Sequence, residues 1–192
     1  VSLRVAILAA GASTRLGEPK ALARLGPRTA LEWLVAAASS VDARPFVVVG
    51  AHAVEIRARA PSPCEIVENP RWQMGRASGL ALARERAGAV DLLVAPVDVP
   101  LVDARTFEAL AAAWREAGEP ERGWLAPRES LTGRHGHPVL IGRALLAELE
   151  RISDLRELRR RAAPLFDVPI ADPAVLDDLD TPEDLERLRR RV

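Results

Sequence analysis

Short runs of β-branched and aliphatic residues alternate with longer stretches of helical spacing along most of the chain. Leu3–Leu8 is apolar apart from Arg4 and predicts a buried strand. Arg28–Ala38 carries Leu31, Leu34 and Val35 at helical spacing. Phe46–Gly50 predicts a second strand, His52–Arg59 a short helix, Cys64–Val67 a third strand, and Gly75–Ala87 a helix rich in alanine and leucine. Val90–Val94 predicts a fourth strand, running into Ala95-Pro96-Val97-Asp98. Ala104–Ala117 then places Phe107, Leu110, Ala111 and Trp114 on one helical face.

Strands followed by helices of ten or more residues predict an α/β fold with a mainly parallel sheet covered on both sides. After Gly118 the rhythm changes. Trp124–Pro127 and Pro138–Ile141 predict strands around the polar loop Thr132–His137. Helices follow over Ala144–Arg151 and Asp154–Arg161, then a strand at Leu165–Val168 and a closing helix over Pro182–Arg190. No repeat, low-complexity tract or linker interrupts the series, so residues 1–192 are expected to form a single domain.

The 27 Lys and Arg residues balance 27 Asp and Glu, giving a formal net charge of zero and no basic footprint for nucleic acid or an anionic membrane. The single cysteine, Cys64, excludes an intramolecular disulfide and reads as a structural strand thiol. No apolar run approaches the roughly 18 to 20 residues of a membrane span. The short N-terminal apolar stretch lacks a basic leader, so a cytoplasmic location is expected. Lys20 is the only lysine in this arginine-biased chain. A compact ammonium on a flexible stem suits different work from a planar guanidinium.

Ligands of open parallel sheets bind beyond the carboxyl ends of the strands. The first strand runs into Leu8-Ala9-Ala10-Gly11-Ala12-Ser13-Thr14-Arg15-Leu16-Gly17-Glu18-Pro19-Lys20. Small residues there let backbone amides approach a phosphate chain, and Arg15 and Lys20 neutralise it. This is neither a Walker loop nor a dinucleotide fingerprint. Asp98, at the end of the fourth strand, reads equally as a magnesium ligand or as a turn-forming aspartate before Pro100. Thr181-Pro182-Glu183-Asp184 spells a helix start, which accounts for Thr181 and Asp184 and leaves Asp180 unassigned. His52 reads as part of a helix start, Trp72 as packing or base stacking, and the C-terminal arginines as a solvated helix end.

Leu8-Ala9-Ala10-Gly11-x-Ser13-x-Arg15-x-Gly17-x-Pro19-Lys20 resembles the opening signature of the MobA-like nucleotidyltransferases, which make molybdenum cofactor dinucleotides. Further similarities follow in order: Asn69-Pro70-x-Trp72-x-x-Gly75-x-x-Ser78, Val97-Asp98-x-Pro100-Leu101, Gly136-His137-Pro138 and Asp178–Asp184. The resemblance implies a Rossmann-like three-layer fold of the GT-A-like type and a metal-dependent transferase using Mg2+ or Mn2+. Its substrates would be a nucleoside triphosphate and molybdenum cofactor, with a client molybdoenzyme as partner. Leu8, Ala9, Ala10, Gly11, Arg15, Lys20, Asn69, Gly75 and Ser78 would bind the nucleotide. Asp98 and Asp180 would hold the metal, and His137 would face the acceptor. Arg15, Lys20 and Asp98 would carry catalysis.

Leu8-Ala9-Ala10-Gly11 is similar to the cytidylyltransferase (MocA) version of the loop, which favours CTP over GTP. Departures are Arg76, Ala77 and Gly79 where the family has more serines, Val99, and the segment Ala21–Ala30. Two competing expectations remain: transfer to a sugar phosphate or small alcohol phosphate, and a molybdenum cofactor carrier without transferase activity.

Overall fold

The structure is a computed structural model that describes residues 3–152 and 155–192. Seven strands form one sheet: β1 (Leu3–Ala9), β4 (Phe46–Val49), β5 (Glu65–Glu68), β6 (Asp91–Pro96), β7 (Trp124–Glu129), β8 (Val139–Ile141) and β9 (Leu165–Ile170). Their order is β5-β4-β1-β6-β8-β7-β9. All pairings are parallel except those of β8 with β6 and β7, so β8 alone runs against the rest. The expected mainly parallel mixed sheet is present.

Helices cover both faces of the sheet. Val5, Ile7 and Ala9 of β1 pack with α1 (Ala30–Ala38), α2 (Ala53–Arg59) and α4 (Ala104–Glu116). Ala6 and the partly buried Leu8 face α3 (Arg76–Ala87), α5 (Arg143–Leu146) and α6 (Leu155–Arg160). Two buried faces explain why β1 and β4 are apolar at successive positions rather than alternate ones. Phe107, Leu110, Ala111 and Trp114 are buried along α4, as their spacing predicts. A third cluster joins Leu16, Leu25 and Leu179 to Leu185 and Leu188 of α7 (Pro182–Arg189).

Three differences from the sequence expectation bear on the packing. The first helix begins at Ala30, not Arg28. Thr29 caps it by accepting the Glu32 N–H, while the Glu32 carboxylate accepts the Thr29 N–H. Arg28–Thr29 instead form β3, paired with β2 (Arg24–Leu25) around Gly26 at φ 60°. The helix expected over Ala144–Arg151 is α5 followed by a tighter 3-10 turn at Leu149–Arg151, an arrangement that keeps Leu145, Leu146 and Leu149 buried. The next expected helix starts at Asp154, which lies outside the described residues; α6 begins at Leu155.

The third difference concerns the C-terminal arginines, which do more than solvate a helix end. Arg187 pairs with Asp177 and Asp184 at 2.8 and 2.9 Å, and Arg191 pairs with Asp177. Arg189 pairs with Glu186 and donates to the Arg24 carbonyl at 3.1 Å. Among the described residues no helix is long and apolar enough to cross a membrane.

Candidate active site

The strand order reverses between β1 and β6: the chain leaves β1 for β4 and β5 on one side, then returns to β6 on the other. Such a switch point opens a crevice at the carboxyl ends of the strands. The loop after β1 and the Asp98 segment after β6 occupy it, and a cavity of about 270 Å³ lies between them.

The loop is held by its own backbone. Ser13 adopts φ 53°, an uncommon conformation for a residue with a side chain, and its carbonyl accepts the N–H groups of Leu16 and Gly17. Its hydroxyl accepts the Lys20 N–H at 3.1 Å, which sets Lys20 at the start of the 3-10 turn Lys20–Leu22. Neighbouring strand ends fix the loop from outside. Ala51 N–H donates to Ala10 O, Val97 N–H donates to Leu8 O, and His52 Nε2 lies 3.1 Å from Ala12 O. His52 therefore contacts the loop rather than capping α2 with its side chain.

Lys20 reaches inward to two carboxylates. Its ammonium donates to Asp98 Oδ1 at 2.9 Å and to Asp180 Oδ1. Arg15 meets the other side of Asp180 at 2.8 Å, and Arg76 meets the other side of Asp98 at 3.1 Å. The side chain of Lys20 is only 12% exposed, whereas those of Arg15 and Arg76 are 69% and 72% exposed, so the two guanidiniums are the solvent-facing partners. Lys20, followed by Arg15, holds the Asp180 carboxyl below the usual carboxylate range. Burial, then the charges of Asp180 and Asp98, pushes the neighbouring Asp178 carboxyl up.

Asp180 reaches this point through the backbone. Leu179 N–H donates to Asp98 O at 2.7 Å, tying the segment before α7 to the end of β6. Thr181 and Asp184 form the expected reciprocal cap of α7, leaving the Asp180 side chain free to face Lys20.

A second cavity, of about 250 Å³, adjoins the first and shares Arg76, Pro96, Asp98 and Asp180 with it. It is here that the reversed strand matters. Val139 of β8 sits opposite Val94 of β6, so the residues entering β8 lie beside those leaving β6. That register brings His137 to the same edge of the sheet as Asp98. His137 N–H donates to Val175 O, and its Nδ1 is buried with no hydrogen-bond partner among the described residues. Burial, then the charge of Arg76, lowers the His137 pKa, against an opposing pull from Asp98. The imidazole is therefore neutral at neutral pH. Gly136 has no room for a side chain, because a Cβ would lie 2.2 Å from the Val175 carbonyl.

Of the residues singled out in the sequence, Leu8, Ala9, Ala10, Gly11, Arg15, Lys20, Gly75, Asp98 and Asp180 line the first cavity. His137 lines the second, with Asp98 and Asp180. Asn69 and Ser78 line neither. Asn69 is buried, donates to the Ser78 hydroxyl at 2.9 Å and accepts the Arg71 N–H at 3.0 Å. Both brace the turn Trp72–Met74 from behind, a role that their polarity and spacing do not distinguish from ligand binding. Sequence reasoning left Trp72 unassigned and gave no site role to Arg76 or His52, all three of which line the first cavity. The only signal for Arg76 was its departure from the serine pattern.

A model of the MobA-like NTP transferase domain matches residues 5–170. The chain belongs to that family. Among curated proteins, the bifunctional protein GlmU of Synechococcus elongatus is 32% identical over 161 residues, covering 81% of this chain and 34% of that protein. The chain thus spans about a third of the length of the curated relatives it matches. Among solved structures, Rv0371c of Mycobacterium tuberculosis H37Rv superposes with a TM-score of 0.80 at 25% identity, covering 99% of this chain and 98% of that one. Molybdopterin-guanine dinucleotide biosynthesis protein A of Archaeoglobus fulgidus gives 0.75 at 21% identity, covering 98% and 97%. The MobA-like chain therefore has the α/β nucleotidyltransferase fold. The family is one of NTP transferase domains.

Proposed function

We propose that the chain transfers a nucleoside monophosphate, CMP in preference to GMP, from its triphosphate to the terminal phosphate of molybdenum cofactor. The observation that carries this reading is the joining of two cavities at one charged centre, Lys20 between Asp98 and Asp180. One cavity has the small-residue loop suited to a triphosphate, and the other opens onto the same carboxylates from the opposite side. The Ala9-Ala10 pair in that loop supports the preference for CTP.

The carboxylates suit a divalent ion. Asp98 and Asp180 each place an oxygen on the same ammonium, so both reach a single cationic point. Among the described residues no group of three or more His, Cys, Asp or Glu converges as a metal cage. Two carboxylates completed by substrate phosphate oxygens match the habits of Mg2+ and Mn2+. A divalent ion held there supplies charge neutralisation to the triphosphate. Rv0371c has also been solved in complex with manganese, which supports a divalent ion here.

The chain's own groups account for the remaining chemistry. Backbone amides of Ala9–Gly11 and the cations of Arg15 and Lys20 hold the triphosphate and offset its charge. A phosphate monoester is mostly dianionic at neutral pH, its second pKa being about 6, so its oxygen attacks without a general base. The new bond forms at the α-phosphorus while the bond to the bridging oxygen breaks, and pyrophosphate leaves. Catalysis then rests on alignment and charge, with residues 1–192 acting as one catalytic unit. A cytosolic location is part of this proposal.

The test is pyrophosphate release with Mg2+ and each of CTP, GTP, ATP and UTP, with and without molybdenum cofactor. Release with CTP that requires the cofactor is expected, together with its loss in Asp98→Asn. Cofactor-independent release, or full activity in Asp98→Asn, overturns the reading. The similarity to the bifunctional proteins GlmU supports including a second acceptor class, sugar phosphates, in the same assay.

A further inference from the structure

The second cavity holds a cation that no described group neutralises. Its lining includes Arg76, Arg134, His137, Asp98, Asp178 and Asp180. The carboxylates of Asp98 and Asp180 are already matched by Lys20, Arg15 and Arg76. Arg134 is different: among the described residues its guanidinium makes no hydrogen bond or ion pair.

Arg134 also sits on a rigid turn rather than a loose tip. The buried Glu129 at the end of β7 accepts the N–H groups of Leu131 and Thr132 at 3.0 and 2.7 Å. These bonds hold its carboxyl below the usual range. Gly133 N–H donates to Glu129 O, and Glu129 N–H donates to Arg134 O, both at 2.8 Å. Gly133 supplies the φ of 69° that the turn requires. Arg128 and His135 then bridge across the two arms, and the His137 N–H closes onto Val175 O. The turn fixes the backbone of Arg134, so only its side chain remains to be ordered when an anion binds.

Arg76 lines the same cavity, with its charge near His137. Two guanidiniums on one cavity match the oxygens of a phosphate, which they bind through parallel N–H donors. Asp98 and Asp180 lie on the same cavity, so a phosphate held there is beside the centre where transfer is proposed.

We propose that Arg76 and Arg134 form a second anion subsite that holds the terminal phosphate of the acceptor, a phosphate monoester. The word acceptor rests on the transferase reading above; the anion subsite itself does not. Arg134 is then a substrate-binding residue separate from the triphosphate loop, and Arg76 joins the two cavities. Their combined demand is for an acceptor ending in an anionic group such as a phosphate monoester rather than in a neutral hydroxyl.

Calorimetric titration with phenyl phosphate tests this, with the first cavity saturated by Mg2+ and α,β-methylene CTP. The wild-type chain is expected to bind phenyl phosphate under these conditions, and Arg134→Gln and Arg76→Gln each to weaken it about tenfold. Arg134→Gln is expected to bind the CTP analogue within twofold of wild type and to melt at the wild-type temperature. Absence of phenyl phosphate binding, its abolition by the CTP analogue, or unchanged binding in Arg134→Gln overturns the subsite. If the CTP analogue itself does not bind, the nucleotide reading fails. The comparison of Arg134→Gln with wild type, run without nucleotide, then still decides whether the second cavity holds a phosphate.

Discussion

Replacing Gly11 by alanine and, separately, Gly50 by alanine puts the same methyl group on opposite sides of one loop. At Gly50 the new Cβ would lie 2.5 Å from Trp72 Cβ and 2.6 Å from Ala10 O, where ordinary contact begins at 3.4 Å. The gap must open by about 0.9 Å, and neither neighbour can turn aside, since one is a backbone oxygen and the other a Cβ. Overpacking of this kind costs about 1–3 kcal/mol. For a chain of this size that lowers the melting temperature by roughly 2–12 °C.

At Gly11 nothing lies within 4 Å of the added carbon, and the backbone is outside the left-handed region. Alanine is accepted there, and restricting the unfolded chain adds up to about 1 kcal/mol of stability. The methyl group nevertheless occupies the face of the loop that lines the first cavity. Loss of one backbone N–H to phosphate bond costs about 1.5–3 kcal/mol, roughly a ten- to hundredfold weaker CTP affinity. Thermal melting by fluorimetry and calorimetric titration with CTP and Mg2+ separate the two effects. A Gly11→Ala chain that binds CTP like wild type would refute the approach of phosphate to this backbone. A Gly50→Ala chain that melts with wild type would refute the tight seat of Trp72 against the loop.

Three further outcomes follow from the rest of the molecule. Asp91 is fully buried and accepts Trp114 Nε1 at 2.8 Å and the Arg143 N–H at 2.9 Å. Asp91→Ala strands these donors and is expected to cost about 3–5 kcal/mol, read as a lower midpoint in urea; a loss under about 1 kcal/mol contradicts this. The Asp184 carboxyl is pushed down to about 2, first by Arg187 and then by the N–H groups of Asp180 and Thr181. A depressed carboxyl stabilises the fold above its unfolded value of about 3.9, and that stabilisation fades as pH falls toward the folded value. Denaturant curves should show the gap between wild type and Asp184→Asn closing from pH ~4 downward, and a gap independent of pH disproves the linkage. Burial raises the Cys64 thiol above 9.0, with Arg44 pulling the other way. Iodoacetamide should therefore alkylate it at pH 8 more slowly than a free cysteine peptide, and an equal rate counts against the burial.

The layered fold was legible because its cause is periodic: β4 and the Val5–Ala9 stretch of β1 are apolar at every position, and α4 repeats Phe107, Leu110 and Trp114 on one face. That the loop after β1 lines a cavity was legible from its place at a strand end, and Lys20, which lines it too, stood out by its isolation among arginines. The start of α1 was misplaced although Thr29 and Glu32 spell a capping box, because the apolar spacing was weighed above the cap. Asn69 and Ser78 show a different limit. A polar residue near a site reads the same whether it faces a ligand or another side chain, and only the fold reveals that these two face each other. Arg134 and Asp91 gave no sequence signal at all. Their roles depend on partners brought from 52 residues away in the case of Asp91 and Arg143, and on a cavity assembled from separate segments in the case of Arg134.

The single reversed strand has a consequence for how such a chain can change. Because β7 and β8 are joined as antiparallel neighbours, the turn between them hangs from the sheet by both ends. A turn of another length or composition can be substituted there without moving β1 or the segment that follows it. Under the proposed assignment, one half of the reaction is written into the first strand and the other half into a replaceable hairpin tip. Exchanging that tip between relatives would then redirect the chain to a new phosphorylated partner while the same triphosphate continues to be spent.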